Sequence, residues 1–456
     1  MTPKLRALLS PFRYIALADG SYKIERLLDK SATAVIIPDG VSEIAPYAFS
    51  DAKELKKLYL AASVKTVGAF AFSGCTALRD VHLESLEAYT GITFENSYAA
   101  PGEYARFFFA DAKPITHYEI SDGTKEILPF AFKGMSTLKT VTFPESLKKI
   151  GYDAFVACGL ESLTLPDTLC EIGSYAFASN PALTKVTLPA SLKALPDGIF
   201  SSCSSLTKLS LPKGLTAIGS SALAYSGIAT LTLPEGVSYI GESAFRHAAS
   251  LSEITLSESL ATVESYAFYQ CVSLKELRFS DALRRVGSYA FAYCNALKTL
   301  TFPTHAITVG SNIIAECTSL NSFSMQGALY SDGTLYRTVP YTDDMGDYRL
   351  SSDAITRLAL TPLLDQLALF SLEIRRTRYI DGDECGRSFF THRIAEEGSV
   401  RTLVLRDGII VGVMTAERFL PVGIETETYY GEDNNGAGTK ALSETMTLTF
   451  RKGASV

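Results

Sequence analysis

Thiols and imidazoles are the groups here with the widest chemical reach, and the chain carries eight cysteines and five histidines. Six of the cysteines recur at one position: Cys75, Cys158, Cys203, Cys271, Cys294 and Cys317, each three residues after an aromatic or equivalent anchor. Elsewhere the same position holds Ala52, Ala112, Met135, Asn180, Ser226 and Ala248. A position that accepts Cys, Ala, Met, Ser and Asn is expected to be small and buried, so the thiols read as a ladder packing as small hydrophobes. Only neighbouring rungs, 271/294 or 294/317, are placed for a disulfide. Cys170 and Cys385 fall outside the ladder. Paired CxxC spacing and nearby histidines are missing from the sequence, which argues against a zinc-type site. His82 and His117, with Asp80 and Glu119, are expected on adjacent strands and read as exposed mixed-charge strand residues rather than as a metal or acid–base centre. HExxH, GxSxG, P-loop and GxGxxG patterns are absent from the sequence. The reading is therefore non-catalytic, with no cofactor and no metal.

The elements that position these residues come from internal repetition. The phrase I-G-x-x-A-F ends at Phe49, Phe72, Phe132, Phe155, Phe177, Phe200, Leu223, Phe245, Phe268, Phe291 and Ile314. Most steps are 23 residues and two are 22. The long step from Phe72 to Phe132 resolves if Phe109 is a further anchor, because FADAKPI resembles FSDAKEL at 49–55. That places an insertion near 84–108. Between anchors runs L-x-x-L-x-L, as in LKKLYL, LTKVTL and LKTLTF, often followed by proline. Its last two apolar residues are two apart, the strand period, and proline ends the ladder. The I-G-x-x-A-F segment reads as a turn and a short helical or irregular return. One such repeat cannot bury its own apolar face, whereas a stack can.

The 23-residue pattern LxxLxLPxxLxxIGxxAFxxCxxL resembles the BspA-like leucine-rich repeats, over about residues 33–325. The resemblance implies an α/β repeat: a leucine-rich-repeat solenoid with parallel strands on its concave face. It also implies a surface or secreted protein, in some members an adhesin for host matrix proteins. The first residues, MTPKLRALLSPFRYIALADG, have no sustained apolar run and do not read as a signal peptide. The expected organisation is an N-terminal cap at 1–32 with a hairpin at Asp19-Gly20, and a solenoid of 12–13 repeats at 33–325. A cap hairpin follows at 326–341, and a small α+β domain of no recognised family at 342–456. Within that domain 351–372 has near-helical apolar spacing, and RTLVLRDGIIVGVM (401–414) reads as a hairpin around Asp407-Gly408.

Side chains facing out of the concave strands are the natural contact surface. From 142 to 255 the central outward column is Thr or Ser, whereas the N-terminal rungs carry Lys57, Tyr59, Asp80, His82, His117 and Glu119. The neighbouring insertion carries Tyr89, Phe94, Tyr98 and Tyr104. Aromatic residues beside charged ones are what binding hot spots use. The expected function is non-catalytic protein–protein recognition, as adhesion or scaffolding, with a host matrix or cell-surface protein as the partner. The alternative is an enzyme or small-ligand domain at 342–456 with the solenoid as its targeting arm. A net charge of −7 argues against a nucleic-acid surface, and no run of about 18 apolar residues encodes a membrane span.

Overall fold

The computed structural model describes residues 2–303 continuously and, beyond them, a set of strands up to Lys452 with a few single residues. The chain divides into two compact units, Met1–Pro234 and Glu235–Val456. In each, the repeat builds one turn of a parallel β-solenoid.

In the first unit the strands Ala34–Ile37, Lys57–Leu60, Asp80–Leu83 and Phe107–Ala110 pair in parallel, in that order. Alternation sends Val35, Leu58, Val81 and Phe108 inward, where all are buried. The residue pairs that end at the Ile of the repeat phrase form a second row of two-residue parallel strands, such as Glu126–Ile127, Lys149–Ile150 and Glu171–Ile172. Of the helical or irregular return expected, the non-helical one forms: the segments from I-G through the anchor are short strands and turns, and helices in the described residues are few.

The anchors form the core. Phe49, Phe72, Phe132, Phe155, Phe177 and Phe200 are at most 1% exposed. Successive rings stack, at 5.0 Å for Phe49–Phe72, 4.6 Å for Phe132–Phe155 and 5.2 Å for Phe155–Phe177. In the second unit Phe245–Phe268 stack at 4.9 Å. Most anchors are flanked by two non-glycine residues at positive φ, such as Tyr175 (57°) and Ser179 (57°). That conformation is costly for a residue with a Cβ. It is offset by alternate N–H groups donating to the next turn, as Tyr175 does to Asp197 O at 2.7 Å and Ser179 to Ser201 O at 2.7 Å.

Two sequence expectations change here. Phe109 is not an anchor: it lies in Phe107–Ala110, paired with His82. Phe94 pairs with Val67, so the residue matching Phe72 is Ala99, fully buried. Tyr89, Phe94 and Phe108 supply the aromatic mass at this level, with Tyr89 5.6–5.7 Å from the other two rings. Ala112 is likewise no member of the cysteine position. It is exposed, and with Asp111 it forms a two-residue hairpin loop with both residues at positive φ (58° and 49°). The hairpin returns as Lys113–Pro114, antiparallel to Phe107–Ala110. Pro114 has no N–H to offer a further strand, so the sheet stops. His117–Glu119 begins a new one by pairing with Thr140–Thr142.

The N-terminal hairpin forms as expected from Phe12–Ala16 and Tyr22–Leu27. It is preceded by a helix, Pro3–Leu9, capped by the Thr2 side chain and burying Leu9. The Thr-Pro start was the readable signal for that helix.

In the second unit an antiparallel sheet runs Asp383–His392, Phe370–Ile380, Thr439–Lys452, Val400–Arg406, Ile409–Met414, Phe419–Pro421. The hairpin read at 401–414 is present. The helical reading of 351–372 lies outside the described residues up to 369, and 370–372 open a strand instead. Most of the cap hairpin at 326–341 also lies outside them.

Candidate recognition face

Register places Ile36, Tyr59, His82 and Phe109 in one outward column of the first sheet. Their rings stack: Tyr59–His82 at 4.4 Å and 11°, His82–Phe109 at 4.8 Å and 14°. Ile36 is 51% exposed and Tyr59 37%. Each inner ring face is covered by its neighbour, so the column presents ring edges, the phenol and the imidazole to a ligand. Such stacking adds roughly 0.5–1.5 kcal/mol per pair beyond area burial, which holds the column in one arrangement before any partner arrives.

The flanking column is Ala34, Lys57, Asp80 and Phe107. Lys57 is exposed. Asp80 is only 7% exposed, because Arg79 reaches it at 3.1 Å and also lies 5.6 Å over the Phe107 ring. Asp80 therefore supports the face rather than presenting charge from it.

His117 and Glu119 stand apart. They are exposed in the next sheet, where Nδ1 of His117 is 2.7 Å from Thr140 Oγ1. His82 does not neighbour His117, because the strand Phe107–Ala110 and its hairpin come between them in the chain and claim the pairing edge.

Of the insertion aromatics, Tyr89 and Phe94 are core, 2% and 4% exposed, which corrects their reading as contact residues. Burial pushes the Tyr89 phenol well above its usual pKa, and its hydroxyl has no partner among the described residues. Tyr104 accepts a hydrogen bond from Gly74 N at 3.0 Å. Tyr98 is 41% exposed but belongs to another row, stacked on Phe70 at 5.7 Å, which stacks in turn on Tyr47 at 5.3 Å. Two features escaped the sequence reading: Phe109 as a rung, and this outer row. The aromatic two residues before the anchor at Tyr47 and Phe70 was the available signal for the row.

The insertion is locked in place by Lys133, 8% exposed. Its ammonium lies 2.8 Å from Glu103, 3.6 Å from Asp153 and 2.5 Å from Ser97 Oγ. Ser97 Oγ also donates to Glu103. Burial raises the Glu103 pKa, but the Lys133 and Ser97 hydrogen bonds and the Lys133 and Arg106 charges together outweigh it and leave it lowered. For Asp153 burial prevails over the more distant Lys133, and the pKa is raised.

The cysteine ladder is more than small packing. Each thiol donates to the anchor carbonyl of the preceding turn, for example Cys75 to Phe49 O at 3.1 Å and Cys271 to Phe245 O at 3.1 Å. Asn180 does the same toward Phe155 O at 2.9 Å. Burial pushes the Cys75 and Cys203 thiols up to about 12, so they stay protonated and unreactive. Cys170 is exposed and free. Among the described residues no cluster of His, Cys, Asp and Glu is arranged to hold a metal, and no helix is long and apolar enough to cross a membrane.

Short parallel strands stacked on an aromatic spine, with a variable outward column, define a leucine-rich-repeat solenoid. The BspA type leucine rich repeat region matches in six copies, across residues 28–100, 103–230 and 216–333. The chain belongs to that family. Among solved structures it is similar to a leucine rich cell surface protein of Faecalibacterium prausnitzii, with 22% identity, a TM-score of 0.50, and 70% of this chain and 94% of that one covered. It also matches a leucine-rich repeat protein of Bacteroides ovatus, with 21% identity, a TM-score of 0.39, and 71% and 89% covered. No curated protein matches the sequence.

Proposed function

We propose that this chain is an adhesin-type recognition module whose outward column Ile36–Tyr59–His82–Phe109, flanked by Lys57, binds a protein. The observation that carries the reading is the stacked ring column. It leaves exposed aromatic edges beside the exposed Lys57 ammonium on a rigid sheet, so little ordering entropy is lost on binding. The partner fits the class of host matrix or neighbouring-cell surface proteins. The surface setting of the Faecalibacterium protein supports that choice over an internal scaffold. The contact is non-catalytic.

The test uses purified matrix proteins immobilised on a sensor surface. The wild-type chain binds at least one of them, and the double variant Tyr59→Ala with His82→Ala binds it at least ten-fold more weakly with an unchanged Tm. Full affinity in the double variant removes this face from the function. Absence of binding to every matrix protein removes the adhesin reading.

A further inference from the structure

Lys133 and Arg246 occupy the same place in the repeat. Each follows its anchor, Phe132 or Phe245, by one residue, and the next anchor, Phe155 or Phe268, comes 23 residues after that anchor. Lys133 is matched by Glu103, Asp153 and Ser97. Arg246 is half-buried and has no carboxylate within ion-pair distance among the described residues. The position that holds Asp153 in the first unit holds Tyr266 in the second. The Nε of Arg246 is shut from solvent with no acceptor among the described residues, so the fork left for a ligand is the pair of terminal guanidinium nitrogens.

The surroundings are aromatic. The guanidinium carbon lies 5.4 Å from the Tyr269 ring centre. Tyr269 is in turn edge-on to His247 (5.9 Å), Tyr266 (5.5 Å) and Tyr293 (5.3 Å). Tyr289 stacks on Tyr266 at 5.2 Å. Ring faces soften the isolation of the cation but do not replace an anion. A partly buried charge is ordinarily paired. A planar guanidinium fork held against a ring is suited to two-pronged binding of a carboxylate, sulfate or phosphate. Burial and then the nearby Arg246 charge hold the His247 pKa below its usual value. At neutral pH that leaves an uncharged imidazole beside the cation.

We propose that Arg246, lying over Tyr269 whose ring packs against His247, Tyr266 and Tyr293, is a binding site for an oxyanion group of a ligand, taking the place that Asp153 and Glu103 fill at Lys133. The site is separate from the strand face of the first unit and does not depend on it.

The chain has 23 tyrosines and no tryptophan, so its intrinsic fluorescence reads the tyrosines directly. The full chain is titrated with sodium acetate, sulfate and phosphate against sodium chloride at matched ionic strength. At least one oxyanion gives a saturable change, and the one that saturates at the lowest concentration names the chemistry of the natural ligand. Arg246→Gln weakens that response at least ten-fold. Tyr266→Asp, which installs the carboxylate found at the other site, also abolishes it while Tm stays at or above wild type. Arg285→Gln, whose guanidinium reaches Glu264 at 3.8 Å, leaves it intact. A response shared equally with chloride, a response unchanged in both Arg246→Gln and Tyr266→Asp, or no response to any of the three oxyanions overturns the proposal.

Discussion

Strands 34–110 and strands 117–187 are built from one repeat yet face outward with different chemistry. Their inward columns are both apolar: Val35, Leu58, Val81 and Phe108 in the first are all buried, and in the second Leu163 and Val186 are buried while Tyr118 and Val141 are half-buried. Outward, the first shows stacked rings and the second shows Thr142, Thr164 and Thr187, all exposed. Folding is satisfied by the inward positions and by the hydrogen bonds between turns. The outward column is therefore free to vary, and the proposed binding face lies where it departs from threonine. Threonine is the residue that strand propensity alone would supply.

The largest effect should come from separating the insertion from the repeat it rests on. Gly102 passes so close to the next turn that an added Cβ would sit 1.7 Å from Lys133 O, a backbone atom. Gly102→Ala is expected to cost about 3 kcal/mol. The loss should fall first on the Phe107–Ala110 strand and its Phe109 rung. Urea unfolding measures the cost, and hydrogen exchange at 107–110 locates it. A loss spread evenly into 140–187 would mean that the two regions are not separable.

Acid sharpens the same boundary. Glu103 has a lowered pKa in the fold, so its stabilisation is present above its unfolded pKa and is lost as pH falls through the folded value. Asp153 has a raised pKa, so its effect has the opposite sign: it opposes folding once pH rises above its unfolded value. Glu103→Gln should flatten the decline of Tm on acidification below the ordinary carboxylate range, and Asp153→Asn should steepen the decline at and above that range. Thermal melts across that range decide the matter, and a shift of the same sign in both variants would show that Lys133 does not hold the two acids differently.

Much of the solenoid could be read from spacing because the repeat leaves a periodic record. The Phe anchors, the L-x-x-L-x-L strands and the cysteine position all recur where the core demands them. The failures cluster where that record is broken. Ala99 has lost the aromatic that marks an anchor, so FADAKPI at 109–115 looked like the missing turn when it is a hairpin with both loop residues at positive φ. Once Phe109 was misplaced, His82 and His117 looked adjacent, and the third ring of the column went unseen. Tyr89 and Phe94 looked like contact residues because composition cannot distinguish an aromatic that fills a core from one that faces a partner. Tyr59, His82 and Lys57 were legible because the strand period fixes their side of the sheet whatever happens to the insertion.

The smallest expected effect bears most directly on the two columns. Tyr59 and His82 stack at 4.4 Å, and a double-mutant cycle to alanine should return a coupling of about 0.5–1.5 kcal/mol. Thr164 and Thr187 are register partners of the same kind, but each exposes a small hydroxyl and methyl, and their coupling should be nearer 0.2 kcal/mol. Neither single substitution removes an inward contact, so each variant should keep the wild-type slope of unfolding against urea. Equal couplings in the two cycles would mean that the rings gain nothing from one another. The column would then not be set before binding, and recognition through it would carry an ordering cost that the rigid face is argued to avoid.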